Sequence, residues 1–110
     1  MNAEDAKLIT LARGARGRVG AHAGAAVRDD TGRSYSGADV VLPSLSLTAL
    51  QLAVAAAVAA GARGIEGAAI VSVSPEASRH ELAALREAGG AGITVLLADP
   101  SGTVVGNESV

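Results

Sequence analysis

The sequence predicts a mixed α/β fold, a five-stranded sheet in a three-layer arrangement with helices, and three observations carry that expectation. AAIVSVS at 68–74 and ITVLLA at 93–98 are unbroken apolar runs of strand length, the signature of strands covered on both faces. A helix-length segment separates them, so they should lie parallel through a right-handed crossover. Upstream, AHAGAAVRDDTGRSYSGADV at 21–40 divides into two strand-like halves about a DDTG turn, as a hairpin does.

The remaining elements follow in order. Asp5 to Arg13 reads as a first helix, with Ala6, Leu8, Ile9 and Leu11 on a broad apolar face and Gly14 expected to end it. The hairpin strands are Ala23 to Arg28 and Ser34 to Asp39. Pro43 and its neighbouring serines read as a loop. LTALQLAVAAAVAAG, Leu47 to Gly61, is an uncharged helix stopped by its terminal glycine. After the strand Ala68 to Ser74, Ser74-Pro75-Glu76 has the chemistry of a helix start: a hydroxyl cap, a proline at the first helical position and a carboxylate near the positive end. That helix is expected to run to about Ala88 with Leu82 and Leu85 inward. GGAG breaks it, Ile93 to Ala98 forms the next strand, and DPSG turns into a last short strand at Thr103 to Val105. The order is α-β-β-α-β-α-β-β.

Composition narrows the function classes. A chain of 110 residues is expected to form a single domain over 1–110, with a core built from small residues, because 49% of it is hydrophobic yet its one aromatic is Tyr35. So modest a core favours self-association. A net charge of −2 leaves no footprint for nucleic acid, and Arg13, Arg16 and Arg18 read as a solvated helix end, with a phosphate site as the alternative. There is no cysteine, hence no disulfide and no thiolate chemistry. Glu4, Asp5 and Lys7 interrupt the N-terminus before a secretory signal can develop. The longest apolar run, Leu52 to Ala60, falls short of the roughly 20 residues that span a bilayer. No membrane association and a cytoplasmic location are expected.

Several segments together resemble the cytidine deaminase family. AGAAVRDDTGRSYSGADV is similar to that family's hairpin, LTALQLAVAAAVAAG to its helix that begins Cys-Ala-Glu and ends in glycine, and IVSVSPEASRHEL to its strand leading into an SPCxxC helix start. The likeness spans about Asp5 to Val105. The resemblance implies a pocket where two helix N-termini meet, three thiolate or imidazole ligands holding zinc, and a glutamate shuttling protons between the metal-bound water and the base. Matched position by position, the first ligand falls on Thr48 and the proton shuttle on Leu50. The SPCxxC ligands fall on Glu76 and Ser78, with one residue missing between them. The family's nucleoside-binding Asn and Glu fall on Asp39 and Val41, and its ring-stacking Phe on Ala21. None of these is a good zinc donor set, and leucine transfers no proton, so the expectation is a site without metal or cofactor.

What replaces the ligands is readable as structure. Thr48 followed by Gln51 matches a capping box. Helix ends at Thr48 and Ser74 should still converge, and Glu76 is the expected internal anion between them, with an external small anion as the alternative. Asp39, Thr48, Ser74 and Glu76 are therefore the candidate ligand-binding residues. Glu76 and His80, four apart, read as a surface pair on one helix face, the alternative being replacement metal ligands joined by Asp39 from the hairpin, and His22 reads as structural or exposed. The expected function is a non-catalytic, zinc-free binding or assembly module, homo-oligomeric as a dimer or tetramer. The alternative is a nucleoside deaminase, converting cytidine to uridine, with an atypical site.

Overall fold

The computed structural model describes residues 1–110, which form α1 (Ala3–Val19), β1 (Ala23–Asp29), β2 (Ser34–Ala38), β3 (Val40–Leu42), β4 (Leu45–Leu47), α2 (Ala49–Ala59), β5 (Ile65–Ser72), α3 (Arg79–Gly89), β6 (Thr94–Ala98) and β7 (Val104–Ser109). The main sheet has the order β2-β1-β5-β6-β7. β5 and β6 run parallel, and every other pair is antiparallel. This is the mixed five-stranded sheet expected, with its crossover through α3.

The sheet separates two apolar layers, and the period-2 geometry of its strands assigns residues to each. On one face Ala25, Val27, Ala68, Ile70, Val95 and Leu97 pack with α2 and with Leu85 of α3. On the other, Ala26, Ala69, Val71 and Ala98 pack against Leu8, Ile9 and Ala12 of α1. Both faces of the central strands are covered, which is why they carry no polar alternation. Small residues let the layers approach closely. A Cβ at Gly24 would lie 2.1 Å from the Ala12 carbonyl oxygen, so α1 seats directly on β1 there.

Besides β5, which spans Ile65–Ser72 and not 68–74 because it pairs with β1 as far as Asp29, four element boundaries depart from the sequence expectation. α1 runs past Gly14 to Val19, from an Asn2 cap to Gly20 in the left-handed conformation. A helical glycine costs about 1 kcal/mol relative to alanine, but burial of Ala12 and Ala15 beneath α1 carries the helix through it. The segment around Pro43 is a small hairpin, β3 with β4, rather than a loop. β7 extends to Ser109 because it pairs along the whole of β6. The fourth concerns α3, which begins at Arg79 with Ser78 as its cap, and not at Ser74. Its reason lies in the site described below.

Two turns share one device. In each, an aspartate at the end of a strand or just past it collects on its carboxylate the polar groups of the residues that follow. Asp29 Oδ1 accepts from the Thr31 amide, the Thr31 hydroxyl and the Arg33 amide, while Oδ2 accepts from the Tyr35 hydroxyl at 2.9 Å. The Thr31 hydroxyl above all, with the two amides and Tyr35, outweighs desolvation and lowers the Asp29 pKa to about 2. The same bond to Asp29 raises the Tyr35 pKa. Asp99 accepts likewise from the Ser101 amide and hydroxyl and from the Thr103 amide, and its pKa is lowered, chiefly by the Ser101 hydroxyl. No helix is long and apolar enough to cross a membrane.

Candidate functional site

A cavity of 350 Å³ opens at the C-terminal end of β5, between the N-termini of α2 and α3, with the β3–β4 hairpin forming one wall. Ligands of open α/β sheets bind at this end of the strands. Asp39, Thr48, Ser74 and Glu76 all line it, as do Val41, His22, Ser72 and Glu81. Leu50, Ser78 and Ala21 do not.

Thr48 caps α2 as its spacing suggests. Its hydroxyl accepts from the Gln51 amide N–H, and the Gln51 side-chain oxygen accepts from the Thr48 N–H at 3.0 Å. The hydroxyl proton is donated to Glu81 Oε2 at 2.9 Å. Asp39 completes this end of the helix: Oδ1 accepts from the Ala49 N–H at 2.8 Å and Oδ2 from the Ala23 N–H at 3.1 Å, tying α2 to the start of β1.

α3 is held in the same manner. Ser78 Oγ accepts from the Glu81 N–H, and Glu81 Oε1 accepts from the Ser78 N–H at 2.9 Å, a second capping box. Glu81 is therefore the residue in which both helix starts meet, and only 8% of it is exposed.

The expected internal carboxylate exists, but it is Glu81 and not Glu76. Ser74 lies in a bend where its N–H is donated to the Ser72 hydroxyl oxygen at 3.1 Å, and residues 75–78 are irregular. Ser78 opens the helix instead, because Glu81 closes a reciprocal capping box with it. Glu76 is consequently outside α3 and exposed, and it shares no helix face with His80. His22 is exposed at the cavity rim. The signal that identifies Glu81 is present in the sequence: Ser78-Arg79-His80-Glu81 is a Ser-x-x-Glu capping box. Its partnership with Thr48 is not legible there, because the two lie 33 positions apart.

At the matched proton-shuttle position, Leu50 is 0% exposed and belongs to the core layer with Ala53, Val54 and Ile70. A second feature follows from the carboxylates. Asp39, Glu76 and Glu81 line the cavity and no lysine or arginine does, so its charge opposes the external anion considered from the sequence.

Fold and site together define an open, mixed α/β protein with its pocket at the strand ends between two helix starts. Residues 1–102 match the family model described as cytidine deaminase-like, and the chain belongs to that family. The solved cytidine deaminase from Burkholderia pseudomallei is similar with a TM-score of 0.82 at 27% identity, over 99% of this chain and 93% of that one. The cytidine deaminase from Mycobacterium tuberculosis is similar with a TM-score of 0.70 at 27% identity, over 81% and 80%. That from Mycobacterium leprae shares the fold, with a TM-score of 0.71 at 21% identity over 94% and 90%. No match is found among curated protein sequences.

Zinc, which the family resemblance implies, can be tested against the donors present. A catalytic zinc takes three protein ligands from thiolate, imidazole or carboxylate. Here Thr48 and Ser78 present neutral hydroxyls already engaged in caps, and the carboxylates of Asp39 and Glu81 accept from backbone N–H groups. No group of three or more His, Cys, Asp or Glu side chains is placed to hold a metal ion. The residues of this pocket do not fit the ion.

Proposed function

We propose that this chain is a zinc-free, non-catalytic member of the cytidine deaminase-like family that works as a binding or assembly module. The observation that carries the proposal is Leu50, an apolar side chain sealed in the core at the position matched to the proton shuttle. Hydrolytic deamination needs an acid/base within reach of the reacting atoms, and leucine offers none. The engaged hydroxyls of Thr48 and Ser78 support the same reading.

A homo-oligomer, dimer or tetramer, belongs to this proposal. Along the uncharged α2, Ala49, Leu50, Ala53, Val54 and Ala57 face the core, while Ala55, Val58 and Ala59 face outward. Val41, Leu42 and Leu45 of the small hairpin are exposed as well, Val41 at 81%. Exposed apolar surface of this kind suits a protein interface.

The second reading, a cytidine or nucleoside deaminase with an atypical site, is favoured by the close fold match to a cytidine deaminase over nearly the whole chain. Elemental analysis of dialysed protein and an assay for uridine release from cytidine separate the two. The proposal expects no stoichiometric zinc and no release above a no-enzyme control. About one zinc per chain, or measurable uridine, selects the deaminase.

A further inference from the structure

We infer that the Glu81 carboxylate does the structural work that a metal would do in this pocket: it clasps the starts of α2 and α3 together and, with Asp39, closes both helix ends to external anions. The inference rests on the zinc-free reading above.

A metal held by ligands from two helices joins those helices and supplies the charge at their meeting point. Here the junction has a covalently attached equivalent. Glu81 is anchored through its own helix, accepts from the Ser78 N–H at 2.9 Å through one oxygen, and accepts from the Thr48 hydroxyl at 2.9 Å through the other. Thr48 in turn accepts from the Gln51 N–H, so one chain of hydrogen bonds runs from the first turn of α3 into the first turn of α2. The sign of the charge is inverted relative to a metal site. A cation is suited to a ring of anionic ligands, whereas two helix N-termini with neutral hydroxyl caps present partial positive charge and call for an anion. Asp39 meets the same demand at the Ala49 N–H. With the amides of Ala49 and Ser78 and the Thr48 hydroxyl all satisfied from within, an incoming phosphate or carboxylate finds three lining carboxylates and no cationic side chain.

Glu81→Ala should expose what the carboxylate was holding. At constant ionic strength, its melting temperature is expected to fall by about 10 °C, the scale on which losing a charge-assisted pair of hydrogen bonds shifts a small domain. Added formate or phosphate should recover several degrees in the variant, by taking the vacated place, and should leave the wild type unchanged. A variant that melts with the wild type, or a loss that neither anion restores, overturns the inference. So does a wild type that formate or phosphate stabilises as much as the variant. If Glu81→Ala does not fold, Thr48→Val and Thr48→Ser carry the test. Serine keeps the hydroxyl and should melt within about 2 °C of wild type; valine also removes the Gln51 cap, so its loss is read against Glu81→Gln, and additive losses in the double variant, or equal melting of valine and serine, overturn the clasp. Zinc content of the wild type is measured in parallel. Zinc found there overturns the zinc-free reading itself, whereas zinc-free protein with an indifferent Glu81 overturns the inference alone.

Discussion

Placing an acid at position 50, which the resemblance matches to the proton shuttle, is the direct way to probe the proposal, and Leu50→Glu is expected to damage the fold before it touches function. Leu50 is fully buried, in contact with the apolar layer that also holds Ala53, Val54, Ile70 and Leu85. Deleting a buried leucine side chain costs about 2–5 kcal/mol. A carboxyl group left there without a partner costs about 1–3 kcal/mol more, and a charged one more again. The total of about 3–8 kcal/mol is comparable with the 5–15 kcal/mol that holds a whole domain. Urea unfolding followed by circular dichroism should show a midpoint far below wild type or no cooperative transition, with no uridine released from cytidine. Leu50→Met, which conserves volume, should lose less than about 1.5 kcal/mol. A Leu50→Glu protein that keeps the wild-type midpoint, or that releases uridine, refutes the placement of this side chain and the reasoning built on it.

Further expectations concern the turn, the layers and the surface. Asp29 has a folded pKa near 2 against an ordinary 3.8, so the stability it confers is present above the ordinary value and is lost as pH falls from about 4 through about 2. Melting curves across that window should show a steeper acid loss for wild type than for Asp29→Asn. Tyr35 is the only tyrosine, and there is no tryptophan, so ultraviolet titration reports it alone. Its phenolate should form above the usual tyrosine range, and Asp29→Asn should bring it back down. Gly24→Ala forces a Cβ onto the Ala12 carbonyl and should lower the urea midpoint by an amount corresponding to about 1–3 kcal/mol or more. An unchanged midpoint counts against the close seating of α1. Val58 is 54% exposed on the outer face of α2, so Val58→Glu should leave the monomer folded yet lower the mass seen by light scattering. Unaltered mass removes that face from the proposed interface.

Local chemistry alone determines much of this protein. Unbroken apolar runs mark the buried strands β5 and β6, the helix between them dictates their parallel pairing, and the DDTG and DPSG turns place the β1–β2 and β6–β7 hairpins. The Thr48–Gln51 box is likewise local, since its partners lie three residues apart. The absence of cysteine and the leucine at position 50 are plain in the chain itself, and the proposal of a zinc-free site starts from them.

Tertiary structure decides wherever two local signals compete or where the partner is remote. Gly14 reads as a helix end, yet the burial of Ala12 and Ala15 against the sheet carries α1 past it to Gly20. Ser74 reads as a cap from the sequence, and the structure places the cap at Ser78. Ser74-Pro75-Glu76 offers good first-turn chemistry, yet Ser78 prevails because Glu81 closes its capping box and reaches Thr48 on another helix. Sequence spacing ranks interactions within a turn or two of chain, where geometry is set by φ and ψ alone. The carboxylate that joins two helix starts is chosen by how the sheet brings those helices together, and that depends on the packing of alanine and glycine across both layers.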